Sequence, residues 1–310
     1  MKTSILIFRV NRIIMKHFRL IATICFAIFA LMANAQEDFV LEDIPADGPV
    51  RSTFGSSLII DNETVVVDSK GTFLMNIQHR FGVFSSDVGE LYGLYAPANI
   101  RLGFKYSLLD NLAIGFGMAK TYSVLDFNVK YAFLRQTESG SMPISVAYFG
   151  KMGIELGATP RYDVNGTDRL SYFHQIIIAR KFGNKFSAQV SPSISHFNAI
   201  DKSMENDHIA IAFAGRYKVS ATTSIIVNYD QPITQHQLNN PNPNIGFGVE
   251  LTTSSHAFQI YIANYYDITH QYNNMFNMNN PLGAYTDTNG GEHKGGQFLL
   301  GFNITRLWNW

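Results

Sequence analysis

From residue 72 onward, large apolar residues recur at every second position in one segment after another. In 72–83, Phe73, Met75, Ile77 and Phe81 alternate with Thr72, Asn76, Gln78 and Arg80. In 125–133, Leu125, Phe127, Val129, Tyr131 and Phe133 alternate with Asp126, Asn128, Lys130 and Ala132. A period of two is the signature of a strand with one apolar face. The same pattern runs through 98–106, 112–119, 144–155, 170–180, 186–196, 208–219, 223–230, 245–253, 257–266 and 297–306, which predicts about twelve strands. Segment 170–180 alternates worst, because Ile176, Ile177 and Ile178 stand in a row.

Alternation alone fits either a soluble sandwich or a membrane barrel, and three features favour the barrel. The segments run to about 9–12 residues, longer than the usual ~5–6 and suited to a tilted membrane-spanning strand. Tight connections at 108–111, 182–185, 219–222 and 254–256 alternate with long ones at 84–97, 156–169, 199–206, 231–244 and 267–296. Short periplasmic turns and long outer loops make that rhythm in outer-membrane barrels, although 120–123 is short where a long loop is due. Finally, Phe298, Leu300, Phe302, Ile304, Trp308 and Trp310 share one parity at the C-terminus. This resembles the terminal assembly signal of bacterial outer-membrane barrels, with Phe302, Trp308 and Trp310 as its aromatic residues. The expected fold is an all-β, antiparallel transmembrane barrel of about 12 strands over 71–310, with both chain ends on the periplasmic side.

The N-terminus reads differently. Lys16 and Arg19 give a basic start at Met15, Leu20 to Met32 is apolar apart from Thr23, and Ala33-Asn34-Ala35 supplies a small-x-small cleavage site. The apolar run is too short for the ~20 residues a spanning helix needs. Residues 1–35 are therefore expected to be a signal peptide, with the true start at Met15 and cleavage between Ala35 and Gln36. Segment 36–70 is left as either a plug or a periplasmic extension.

Composition narrows the function. Charged residues make up 15% of the chain, well below the roughly 25% of soluble domains. The 24 basic and 24 acidic residues cancel, which argues against a nucleic-acid partner. Removing residues 1–35 leaves 19 basic residues against 24 acidic ones, and it removes Cys25, the only cysteine. No disulfide framework is available. Single, scattered histidines show no metal-ligand spacing, so neither a metal nor a cofactor is expected.

Two constellations bear on enzyme chemistry. Ser193, Ser195, His196 and Asn198 cluster, but adjacent Ser195 and His196 point to opposite faces of a strand. Asp207-His208 is a lone dipeptide at a loop–strand junction. Neither makes a site, so no enzymatic activity is expected.

Charges in mid-strand cost about 2–4 kcal/mol each on a lipid face, so they should point inward. That assigns Arg80, Arg101, Lys105, Lys130, Lys151, Arg216 and Lys218 to the lumen, against Asp126, Glu155 and Glu250. Arg80, Arg101, Lys105, Asp126 and Lys130 are the candidate lumen or ligand residues. The acidic 36–70 segment, with Asp61, Glu63 and Asp68, carries enough charge to neutralise such a wall.

A family resemblance agrees with this picture. Thr53-Phe54-Gly55 to Asp61, His79-Arg80-Phe81-Gly82, Leu94 to Ala119, and Lys130-Tyr131 to Arg135-Gln136 carry it. Together they resemble a family of exported outer-membrane β-barrel proteins from Bacteroidota-type bacteria, a domain of unknown function. This chain has Tyr95 where members tend to carry an acid. The resemblance implies location and fold and no activity.

The expected protein is thus a Gram-negative outer-membrane barrel, a small passive channel or ligand-binding barrel with a basic lumen. Its expected partners are outer-membrane lipid, the barrel-assembly machinery and a small anionic solute. The alternatives are a structural or partner-docking barrel, with 267–296 as contact loop for its long, uncharged stretch 272–280, and a barrel enzyme acting on lipid or peptide.

Overall fold

The computed structural model describes residues 48–309 apart from 52, 85–87, 158–164, 287–289 and 294. The signal segment with its Ala35–Gln36 junction, residues 36–47 and Trp310 lie outside the described residues. The period-two segments form β3 (Phe73–Val83), β4 (Asn99–Leu109), β5 (Leu112–Ala119), β6 (Val124–Leu134), β7 (Ser145–Glu155) and β8 (Leu170–Phe182). They continue as β9 (Phe186–Phe197), β10 (Asp207–Lys218), β11 (Thr223–Pro232), β12 (Asn244–Thr252), β13 (His256–Ala263) and β16 (Leu299–Trp308). Each pairs antiparallel with its neighbours in chain order, and β16 pairs with β3, closing a twelve-stranded barrel. Closure satisfies every strand edge, as a sheet in lipid requires. Not part of the wall are a small hairpin, β1 (Leu58–Ile59) with β2 (Asn62–Glu63), the pair β14 (Tyr285–Thr286) and β15 (Glu292–His293), and helix α1 (His270–Phe276).

The large parity faces out. Leu102, Phe116, Met118, Phe127, Phe213, Phe247 and Ile260 are exposed on the outer surface, where lipid replaces the missing core. Aromatic residues gather at the turn end of that surface: Tyr106, Phe133, Phe182, Phe186, Tyr217 and Trp308 all stand within three residues of a strand terminus there. Trp308 packs on Phe73 with centroids 5.7 Å apart, and Arg306 lies over its ring at 4.9 Å. Such a girdle suits a membrane–water interface, where an apolar ring body meets a wet edge.

Tight turns join the strands at one end, together with the longer link 135–144, and residues 48–50 pair with that link. Val50 N–H donates to Gln136 O at 2.7 Å, and Glu138 N–H donates to Gly48 O at 3.0 Å. The long connections lie at the other end. The short one, 120–123, is a single 3₁₀ turn over Thr121–Ser123, with Tyr122 and Ser123 at φ 57° and 50°. Left-handed residues without glycine cost about 1–3 kcal/mol each. Stacking of Tyr122 on Tyr272 of α1, centroids 5.3 Å apart, braces the turn.

Candidate functional site

An eight-stranded barrel is just filled by its own side chains, so twelve strands leave space that water or protein must occupy. Here protein occupies it. The chain enters at the turn end beside 135–144, runs into the lumen through Thr53 and Phe54, reverses at Ile60-Asp61, and returns to the turn end. There Lys70 N–H donates to Asp110 Oδ1 at 2.8 Å and Gly71 N–H to Ser107 O at 2.8 Å. Residues 53–65 are buried apart from partly buried Gly55.

Apolar side chains seat part of this hairpin. Phe54, Ile59, Ile60 and Val65 join one cluster with inward Phe149, Phe173, Ile177 and Tyr261. Burying a side chain of this size is worth about 1.5–3 kcal/mol. The cluster also explains why β8 alternates poorly: Ile177 faces a protein-filled lumen, so its face needs no polar residue. Wall amides satisfy the hairpin backbone. Gln259 Oε1 accepts from Ile60 N–H at 3.0 Å, and Gln259 Nε2 donates to Leu58 O at 2.8 Å. Asn303 Nδ2 donates to Ile60 O at 2.7 Å. Ile60 is held at φ 54°, a conformation a β-branched residue adopts only when its surroundings impose it.

The charges interlock. Arg80 Nη2 meets Asp61 Oδ1 at 2.8 Å and lies over the Tyr265 ring at 4.6 Å. Glu63 sits between Lys105 and Lys130, each Nζ 2.6 Å from a carboxylate oxygen. Burial opposes ionisation of Glu63, but the two ammonium groups outweigh it and hold the carboxyl well below the usual carboxylate range. Arg101 forks onto Asp126 through Nε and Nη2, both at 2.7 Å. Gly103 and Gly117 flank that guanidinium, and a Cβ at either would run into it. Arg216 Nε pairs with Glu250 Oε1 at 3.0 Å.

Helix α1 fills the other half of the lumen from the loop end. His270 to Met275 are buried. Lys151 Nζ lies 3.0 Å from His270 Nδ1, Tyr272 donates to Glu155 Oε1 at 2.5 Å, and Gln271 donates to Ser171 Oγ at 3.1 Å. Burial, reinforced by Lys151, holds His270 well below its ordinary value and so neutral. Hairpin and helix meet where Asn273 Nδ2 donates to Asp61 Oδ2 at 2.6 Å. Between them and the wall a cavity of about 10 Å³ remains, lined by Glu63, Arg101, Lys105, Lys151 and His270 among others. That is room for about one water.

The candidates Arg80, Arg101, Lys105, Lys130 and Asp126 all face the lumen, but in three separate pairings and not as one basic patch. The inward acids also number one more than the sequence pattern assigned: Asp230 of β11 is buried and accepts from Asn62 Nδ2 at 2.7 Å. Six interior cations (Arg80, Arg101, Lys105, Lys130, Lys151, Arg216) face four wall acids, Asp126, Glu155, Asp230 and Glu250. Asp61 and Glu63 bring the acids to six, leaving Lys218 and Asp68 at the turn end. The expected contact loop 267–296 also differs: its asparagine-rich start folds inward, because the lumen supplies partners for its amides, such as Asn244 for Asn277 at 2.9 Å.

Ser193 and Ser195 face the lumen while His196 faces out, paired with Asp207 at 2.8 Å. His208 turns inward onto His236, with ring nitrogens 3.0 Å apart. Phe302 and Trp308 share the outer face of β16. No group of three or more metal-ligating side chains occurs among the described residues.

At the loop end a larger cavity, about 630 Å³, lies between the β3–β4 connection, the segment after β13 and the stretch following α1. Nothing in the residue pattern marked it, since its walls come from two connections far apart in sequence, β3–β4 and β13–β16.

Among curated proteins, none matches the chain. Among solved structures, the chain is similar to an outer membrane channel from Pseudomonas putida F1 at 12% identity and a TM-score of 0.47, over 79% of this chain and 98% of that one. It is also similar to the NanC porin (7% identity, TM-score 0.47, 76% and 98% covered) and to the KdgM porin (7%, 0.43, 76% and 98%). Residues 54–308 match the model of a family described as "Membrane bound beta barrel domain (DUF5777)", a span that takes in the hairpin from Phe54 onward and the whole barrel, and the chain belongs to that family.

Proposed function

We propose that this protein is an exported outer-membrane barrel whose lumen is a latent, anion-preferring pore, closed at rest by hairpin 53–65 and helix α1. One observation carries the reading: two of the six acids that neutralise the interior cations belong to the hairpin and not to the wall. Withdraw the hairpin, and Arg80, Lys105 and Lys130 face an aqueous lumen without Asp61 and Glu63. Narrow pores lined by such groups concentrate anions and exclude cations. The aromatic girdle and terminal residues Phe302 and Trp308 support placement in the outer membrane by the barrel-assembly machinery.

Planar-bilayer recording tests the proposal on the full chain and on a variant lacking 53–65 with 270–276 replaced by a Gly/Ser linker. The full chain is expected to be nearly silent and the variant to conduct with anion preference. Arg101→Glu with Lys105→Glu in the variant should shift the preference toward cations. A silent variant that still shows the heat-modifiable gel migration of a folded barrel would overturn the proposal.

A further inference from the structure

On the outer wall every charge needs a partner, because lipid supplies none short of its headgroups. Among the described residues, three charged side chains hold outward positions on the strands: Asp207 at the loop end, and Arg180 and Arg306 near the turn end. Asp207 pairs with His196 at 2.8 Å. Arg306 donates to His256 Nε2 at 2.5 Å and lies over Trp308. Arg180 has no carboxylate and no hydrogen-bond acceptor among the described residues, and its Nε is buried without a partner. Glu138, in the link at this end, accepts instead from Arg51 N–H at 3.3 Å.

Arg180 also stands at the head of a trough. The register sets it level with Ala188 of β9 and Gly215 of β10, so that row of the outer surface is shallow. Larger side chains border the row on both sides. Phe182, Phe186 and Tyr217 lie toward the turn end, and Ile178, Val190 and Phe213 lie toward the middle of the wall. Two strand spacings make the trough about 10 Å long. The Arg180 guanidinium lies over the Phe182 ring at 5.3 Å, bent toward the aromatic girdle that marks headgroup depth. Lys185, exposed in the β8–β9 turn, lies beyond the same girdle.

We infer that this surface is the seat of one anionic phospholipid, its phosphate held by Arg180 and drawn by Lys185, with an acyl chain lying along Ala188 and Gly215 between the two rows. The planar fork of a guanidinium matches the paired oxygens of a phosphate diester. A zwitterionic lipid offers the same phosphate but brings an ammonium of its own, which Arg180 and Lys185 repel. The inference rests on the barrel lying in a membrane and not on the state of its lumen.

The test uses the full chain in nanodiscs of equimolar phosphatidylglycerol and phosphatidylcholine, released into a mass spectrometer under conditions that retain bound lipid. A cation at the membrane surface favours an anionic lipid about fivefold. The first lipid retained should therefore be phosphatidylglycerol, by at least about fivefold over phosphatidylcholine. Arg180→Gln should reduce that preference about fivefold, with Arg180→Met as the substitute if that variant fails to fold. Arg306→Gln, whose guanidinium is already taken by His256, should leave it unchanged. Gly215→Leu, which fills the trough, should lower retention of both lipids. Equal retention of the two lipids by the parent, an undiminished preference in the folded Arg180 variant, or the same loss with Arg306→Gln would overturn the inference. So would undiminished retention in folded Gly215→Leu, or displacement of the lipid by excess inorganic phosphate. Conductance plays no part in this readout, so its failure leaves the pore proposal untouched, and the reverse.

Discussion

Glu63→Gln isolates the hairpin from the barrel. The substitution keeps size and shape and removes one charge from between two ammonium groups, each 2.6 Å away, with the Lys130 side chain 2% exposed. Lys130 would keep Ser57 O at 2.9 Å and Val66 O at 3.2 Å, both neutral acceptors. Breaking a buried pair by removing one partner costs about 3–5 kcal/mol. The wall is held by twelve closed ladders, so the cost falls on the seating of the hairpin. At about 1.4 kcal/mol per tenfold, the unseated population should rise by roughly two to three and a half orders of magnitude. Ser57→Cys, in a background with Cys25 replaced, reports seating through the rate at which an impermeant maleimide labels it. Labelling should be slow in the parent and at least about a hundredfold faster with Glu63→Gln. Equal labelling rates, in barrels of equal heat stability, would refute the premise that ionic pairing holds the hairpin in place.

Three other outcomes are expected. His270 is held neutral by burial and Lys151, and Glu63, Arg101 and Lys105 also act on it. A released helix therefore takes up a proton below about pH 6.5 that the seated one refuses. Seating is at full strength above that pH and weakens by at most about 1.4 kcal/mol per unit as pH falls; Glu63 adds loss of the same sign only below the ordinary carboxylate range. The rate of Asn273→Cys labelling, divided at each pH by that of a fully exposed cysteine so that the fall in thiolate cancels, should rise from pH 6.5 to pH 5, and His270→Gln should flatten the profile. Gly117→Ala drives a methyl into the Arg101 guanidinium and should lower the urea midpoint by the equivalent of about 1–3 kcal/mol. Phe149→Ala empties the apolar contact between wall and hairpin at a cost of about 3–5 kcal/mol, read as faster Ser57→Cys labelling with little change in barrel melting.

The wall was legible because lipid outside and polar groups inside impose a period of two on every strand. Legibility failed where a third partner entered. Ile177 broke the alternation of β8 because it meets the hairpin and not water. Asp230 closes its segment two residues before a proline, where alternation gives out, and its inward role shows through its bonds from Asn62 and Asn244. The acids of the 36–70 segment were visible, but the choice of Asp61 for Arg80 and Glu63 for the lysines depends on the depth to which the hairpin reaches, and alternation has no coordinate for depth. Residues 267–296 look like an outer loop from their length and from the uncharged stretch 272–280, and only the barrel interior reveals why so many asparagines stand together.

The reach of the hairpin across the barrel has a consequence for biogenesis. Its bonds to Asp230, Gln259 and Asn303 join positions 168, 199 and 243 residues apart, so the earliest part of the domain to be synthesised must wait for the last. A slip of two residues between β3 and β16 would leave every side chain on its proper face, and lipid would not register the mistake. It would, however, carry Asn303 about 6–7 Å along the wall and away from the Ile60 carbonyl it must meet. The hairpin is thus a gauge of shear: its full set of bonds can form only in a cylinder closed in the right register, and a misregistered one leaves part of that set unmade.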